Sequence, residues 1–319
     1  MHVIDTAPWN TAQFEEVLRF AEDIEKQPER YEHALSGRNV VALFDMPSTR
    51  MRVSVEVASH RVGAHVTFVA GETTHLGSAT AKAALAEEVA CLSRLGDVLV
   101  LRLGSHADME SATRFAACPV VSARSNRCHP VQAIADLATI RRRFGRTSGL
   151  VAAYVGPPNA VCNSLIDGFT KVGIRLLLMR ETIGRADEHC RANAEGTGLL
   201  ETVDGMAVAV ERADIVFLGT GALMGSTIEE RSTGTETMRL TRRNLDAHPR
   251  LHLMHSMPAS DEVEPEALYH ERSLVFEQVR AKVPVIAAFL LYVLHGRVPD
   301  VSDLERGSAG GTGLFNANN

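Results

Sequence analysis

Short apolar runs alternate with helix-length stretches along nearly the whole chain, and that order limits what it can fold into. After a helical stretch at residues 11–26, strand-like runs at 40–44, 66–69, 98–101 and 120–122 are interleaved with helical patterns near 53–62, 82–95 and 109–117. A second series places strands at 150–155, 175–178, 200–203, 215–218 and 251–254, with helices near 159–172, 187–195, 205–212 and 235–245. Alternation of this kind specifies parallel sheets covered by helices. The runs are apolar at consecutive positions, as strands buried on both faces must be. The fold expected is therefore α/β, two consecutive doubly wound parallel-sheet domains. The first would span 1–144, with a return helix at 276–295 packing on it, and the second 145–275. A helix at 130–144 would bridge the halves, and the Gly- and Asn-rich stretch 307–319 would fray.

Composition narrows the function classes. A chain of 319 residues, 45% of them apolar, can bury two cores. Its net charge is −6, and Lys and Arg are scattered, so neither nucleic acid nor an anionic membrane is an expected partner. The longest apolar run, 283–294, is too short to span a bilayer and residues 1–10 lack a signal-peptide pattern, so a cytoplasmic protein is expected. Five cysteines without a C-x-x-C pair fit reduced thiols, and no metal or cofactor is expected.

Open α/β sheets bind ligands beyond the carboxyl ends of their strands. Ser48, Thr49 and Arg50 follow the first strand and precede a helical face, where unpaired backbone N–H groups and the positive dipole end favour an anion. Two hydroxyls and a guanidinium suit a phosphate; an ordinary Ser/Thr cap with a solvated Arg is the competing account. Arg102 follows the third strand. Cys128-His129-Pro130-Val131-Gln132 has Pro130 in a first helical turn, setting His129 and Gln132 toward one mouth. Cys128 and His129 are adjacent on a turn, which does not suit a catalytic dyad. The Gly-containing turn 219–225 and the segment His255-Ser256-Met257-Pro258-Ala259 complete the set. Around Gly156 the sequence lacks G-x-G-x-x-G, which disfavours a dinucleotide site.

Taken in order, F-x-x-x-S-T-R-x-R-x-S-x-E-x-A, an Arg after the third strand, H-P-x-Q-A-x-x-D-L-x-T-I and H-x-x-P-A resemble the aspartate/ornithine carbamoyltransferase family. Residues 262–263 and 273–278 look more like its ornithine branch. The resemblance implies an enzyme that moves the carbamoyl group of carbamoyl phosphate to an amine, with its active site in the cleft between two domains, and that assembles as a homotrimer. It implies that Ser48, Thr49 and Arg50 hold phosphate and that Arg102 and His129 contact the carbamoyl oxygen. Gln132 and main-chain carbonyls near Met257 would take the amide. Thr49, Arg102 and His129 would stabilise the tetrahedral state. Lys282 stands where the family has an Arg in its last helix. His75 and Lys82 lie where the family lends residues to a neighbouring subunit.

Departures bear on the acceptor. Met51 replaces a Thr of the phosphate loop. Gly219 and Leu223 stand where the ornithine branch has the Asp and Ser of its second-substrate turn, and Asn159-Ala160 replaces an Asn pair. A buried ammonium would lack its counter-charge, so ornithine is not the expected acceptor. Asn159, Gly219, Leu223, Met224 and Ser256 are the candidate contacts for a small amine. The alternative reading is a catalytically silent homologue that binds carbamoyl phosphate or another anion.

Overall fold

A computed structural model describes residues 1–71, 81–219 and 239–299; for 81–84 and 181 it describes the backbone alone. The chain forms two compact units. One comprises Met1–Ile4, Glu16–Ser125 and the chain from Val283 onward, and the other comprises Asp5–Glu15 and Asn126–Lys282. Each contains one parallel sheet.

In the first unit β1 (Asn39–Phe44), β2 (His65–Ala70), β3 (Val98–Arg102) and β4 (Val120–Arg124) pair in the order β2-β1-β3-β4. Val41, Leu43, Leu99, Leu101 and Val120 pack with Val89, Met109 and Ala112 of the covering helices. The order reverses between β1 and β3, which makes their carboxyl ends the switch point where a crevice opens. The helices of this unit include α1 (Thr11–Lys26), whose first turns belong to the other unit, α2 (Thr49–Arg61), α3 (Ala81–Leu95) and α4 (His106–Phe115). Helix α2 begins four residues before the expected start, because Ser48 caps it by accepting from the Met51 N–H. Polar residues fill that first turn, so its apolar periodicity becomes visible only from Val53.

The second unit pairs β5 (Val151–Val155), β6 (Arg175–Met179), β7 (Leu200–Val203), β8 (Ile215–Leu218) and β9 (His252–His255) in the order β7-β6-β5-β8-β9, with its switch point between β5 and β8. Its helices include α5 (Pro130–Phe144), α6 (Ala160–Lys171), α7 (Arg180–Ile183), α8 (Glu188–Glu195) and α9 (Met206–Arg212). By compactness α5 groups with this unit, whereas the sequence expectation drew a boundary after residue 144; Arg141 of α5 pairs with Glu15 at 2.7 Å. Of the helix expected at 235–245, residues 235–238 lie outside the described residues; a helix runs Arg242–Ala247 behind a Thr241–Asn244 capping box. The short turns Pro28–Arg30, Arg180–Ile183 and Pro265–Leu268 were not anticipated, since one turn carries no periodicity. The helix Val275–His295 is longer than the expected apolar run and has the length and hydropathy to cross a membrane. Some 72% of its most apolar window is buried inside the protein, so its apolarity belongs to the core. The tail 307–319 lies outside the described residues.

Candidate functional site

In the first unit, Ser48, Thr49 and Arg50 stand at the carboxyl end of β1, with Thr49 and Arg50 in the first turn of α2. Because Ser48 Oγ accepts from a backbone N–H, its own proton remains available for donation. Met51 is buried in the core, which explains an apolar side chain there. Arg102 ends β3 in register with Phe44, beside an irregularity in the β3–β4 ladder that leaves Arg102 opposite Arg124. Bulges of this sort re-aim side chains near sites. The strand ends are tied together as Asp45 N–H donates to Arg102 O (3.0 Å), Gly104 N–H to Asp45 Oδ2 (2.8 Å) and Leu103 N–H to Arg124 O (3.0 Å). Burial lowers the Arg102 guanidinium to about 10; Arg124 and Arg50 push the same way and Asp45 opposes them. Burial also lowers Arg50. Both remain charged at neutral pH. Arg50 and Arg124 both oppose the charge on Arg102, a mutual repulsion that an anion placed among them would relieve. Asp45 and Arg124 were not singled out from the sequence; Asp45 follows a strand directly and could have been.

In the second unit, His129 caps α5. Its Nδ1 accepts from the Gln132 N–H at 3.3 Å, while its own N–H donates to Ser164 Oγ at 2.8 Å. A ring nitrogen that accepts carries no proton, so the neutral imidazole has its proton on Nε2 and can donate from there. The preceding loop is held by α6 and the turn before α8, as Asn163 Nδ2 donates to Arg127 O at 2.9 Å and Arg127 Nε lies 3.4 Å from Asp187. One turn into α5, Gln132 Nε2 donates to Asp136 Oδ1 at 2.7 Å, and Gln278 Nε2 donates to the same oxygen at 2.6 Å. Gln278 Oε1 accepts the His255 N–H (2.8 Å), and His255 Nδ1 accepts the Met257 N–H (2.8 Å). That last bond helps hold Met257 at φ 54, a left-handed conformation costing a non-glycine residue roughly 1–2 kcal/mol. Lys282 is 3% exposed and carries the charge nearest in effect to Asp136. Burial drives the Asp136 carboxyl up; the two glutamine donors and Lys282 oppose it. His255 Nε2 lies 3.0 Å from Glu262 Oε1. Burial alone would raise Glu262, yet donors from His255 and Ser260 bring it down to about 2.

At the β5/β8 switch point Asn159 is an N-cap, its Oδ1 accepting from Val161 N–H (2.9 Å) and Cys162 N–H (3.1 Å). A Cβ on Gly156 would come within 3.0 Å of the Gly219 carbonyl oxygen, and its φ of 136 independently favours glycine. A Cβ on Gly219 would collide with the Tyr154 hydroxyl. Tyr154 is buried, stacks on Phe217 and donates to Pro157 O at 2.9 Å. Its ring fills the space that any side chain at 219 needs. Ser256 is half-buried in the segment after β9. His75, Leu223 and Met224 lie outside the described residues, as does the side chain of Lys82. Asp136, Gln278 and Tyr154 were not named as site residues from the sequence, although Asp136 and Gln278 lie in stretches that carry the family resemblance. Asp136 could have been found four residues from Gln132 on one helix face, but Gln278 is 142 residues from Asp136, so spacing does not reveal the bond between them.

Two parallel α/β units, one with a cationic helix N-terminus at its switch point and the other with a buried amide and histidine network, define a two-domain group-transfer architecture. Residues 1–142 match the aspartate/ornithine carbamoyltransferase carbamoyl-P binding domain, and residues 148–293 match the family's Asp/Orn binding domain. The chain belongs to the aspartate/ornithine carbamoyltransferase family and is a carbamoyltransferase in class. It is 32% identical over 271 residues to an ornithine carbamoyltransferase of Parafrankia sp., covering 82% of this chain and 84% of that one. It is 27% identical over 298 residues to an ornithine carbamoyltransferase of Methanocaldococcus jannaschii, covering 89% and 96%. The solved ornithine carbamoyltransferase from Pyrococcus furiosus superposes with a TM-score of 0.83 at 27% identity, covering 92% of this chain and 97% of that one.

Proposed function

We propose that this protein transfers the carbamoyl group from carbamoyl phosphate to a small amine other than ornithine or aspartate. The observation that carries the donor half is the gathering of Arg50 and Arg124 about Arg102, which ends β3 in register with the end of β1, just ahead of α2. On this reading Ser48, Thr49 and Arg50 hold phosphate, with Arg102 shared between phosphate and the carbamoyl oxygen. Gln132 and carbonyls near Met257 take the amide. An uncharged amine attacks the carbonyl carbon, a C–N bond forms, and negative charge grows on the oxygen. Thr49, Arg102 and the Nε2–H of His129 stabilise that oxygen, each such donor contributing about 3 kcal/mol to lowering the barrier. The C–O bond to phosphate then breaks, and the phosphate leaves with the amine proton. Every proton is accounted for without a protein nucleophile.

The acceptor half rests on the Tyr154–Gly219 contact. Position 219 has no carboxylate to pair a second ammonium, and Tyr154 fills the room one would occupy. Leaving a buried ammonium unpaired costs several kcal/mol. A family-typical homotrimer is part of the same reading. The silent-homologue reading draws on one observation, that the Lys282 charge is set against Asp136 within the protein. Phosphate release from carbamoyl phosphate, measured with ornithine, aspartate and a panel of monoamines, amides and amino sugars, separates these possibilities. Release is expected with a panel member and not with the two amino acids. Saturable turnover of ornithine would overturn the acceptor assignment, and silence with every amine would favour the silent homologue.

A further inference from the structure

We propose that Asp136 is a positioning residue that fixes which end of the Gln132 amide meets the ligand, and so selects a carbamoyl group over an acyl group of the same shape. The proposal rests on the reading of Gln132 as the contact to the carbamoyl amide. Asp136 is fully buried, and its Oδ1 accepts from both Gln132 Nε2 (2.7 Å) and Gln278 Nε2 (2.6 Å). Because Oδ1 accepts from both amides, it holds the Gln132 amide with its NH₂ inward, whether or not the other carboxyl oxygen carries a proton. Gln132 Oε1 makes no hydrogen bond among the described residues. It is thereby left as an acceptor, the complement of the N–H of a carbamoyl group; a reversed amide would set donor against donor. Gln278 cannot reverse either, because its Oε1 accepts the His255 N–H (2.8 Å). Asp136 thus joins the Gln132 amide to the 255–257 segment, where His255 Nδ1 accepts the Met257 N–H (2.8 Å).

The test is equilibrium binding of three probes: carbamoyl phosphate, acetyl phosphate, which replaces the NH₂ by a methyl group, and inorganic phosphate. The wild type should prefer carbamoyl over acetyl phosphate by about tenfold or more, the worth of one well-made hydrogen bond. In Asp136→Leu that preference should collapse toward unity while inorganic phosphate binds as before. In Asp136→Asn it should persist, since the side-chain carbonyl can occupy the Oδ1 position and accept both bonds. Should Asp136→Leu fail to fold, Asp136→Ser, which fits the present volume without reaching Gln132, gives the same reading. Full preference retained in the Leu or Ser variant would overturn the role of Asp136. Equal loss of affinity for all three probes would overturn it too, by showing a structural role alone. A wild type that does not distinguish carbamoyl from acetyl phosphate would instead remove the underlying reading of Gln132.

Discussion

At the scale of single residues, the chemistry turns on which atoms are already engaged. His129 Nδ1 accepts the Gln132 N–H, so on the proposed reading His129 serves through Nε2–H as a donor rather than a base. His129→Ala should therefore lower turnover by roughly 10²- to 10³-fold, as loss of one donor to a developing oxyanion does, while leaving inorganic phosphate affinity nearly unchanged. Parallel measurement of kcat and phosphate binding checks this; equal losses in both would make His129 a structural cap. Glu262 belongs to stability. Its folded carboxyl lies at about 2 against an ordinary 4.5, so the unfolded chain protonates first as pH falls. The stabilisation is fully present above pH 4.5 and is lost as pH falls toward 2. Melting temperature in that window should decline less steeply in Glu262→Gln than in the wild type, though from a lower value at neutral pH. Ser48, Thr49 and Arg50 were legible in the sequence because hydroxyls and a guanidinium before an apolar face are a local pattern. The tautomer of His129 and the orientation of Gln132 were not, since each depends on a partner's geometry.

At the scale of elements, the strand and helix order was legible almost throughout, because apolar runs of strand length and amphipathic stretches of helix length differ in period. Starts were less so: α2 begins at Thr49, where capping by Ser48 rather than periodicity sets the boundary. The β5/β8 contact was not visible at all. In the sequence Gly219 looks like a lost carboxylate, and restoring Asp together with Ser at 223 would seem enough to admit ornithine. The structure instead couples Gly219 to Tyr154, whose ring is held by Phe217 and Pro157. Gly219→Ala should destabilise the protein by about 1–3 kcal/mol through overpacking, read as a lowered midpoint in denaturant titration. The same change on a Tyr154→Leu background should cost less. Additive losses would mean that the two positions do not compete for space.

At the scale of the whole molecule, Ser48, Thr49, Arg50 and Arg102 stand at strand ends of the first unit's sheet and Asn159, Gly219 and Ser256 follow strands of the second, whereas His129, Gln132 and Lys282 are carried by helices of the second unit. The resemblance was legible because most of the features that carry it are contiguous stretches whose polar residues stand in a fixed order. The acceptor was not, because the contact of Gly219 with Tyr154 joins positions distant in sequence, and Leu223 and Met224 lie outside the described residues. A ligand held only by the folded protein stabilises it by mass action, so carbamoyl phosphate at 100 times its dissociation constant should add about 2.7 kcal/mol to unfolding free energy. The measurement that bears most directly on the central claim is a calorimetric titration of carbamoyl phosphate into the wild type and into Arg50→Ala. Saturable binding by the wild type, weakened roughly 10- to 100-fold in the variant as loss of a charge-assisted phosphate contact requires, is the predicted result. Equal affinity in both proteins would contradict a phosphate site at the start of α2.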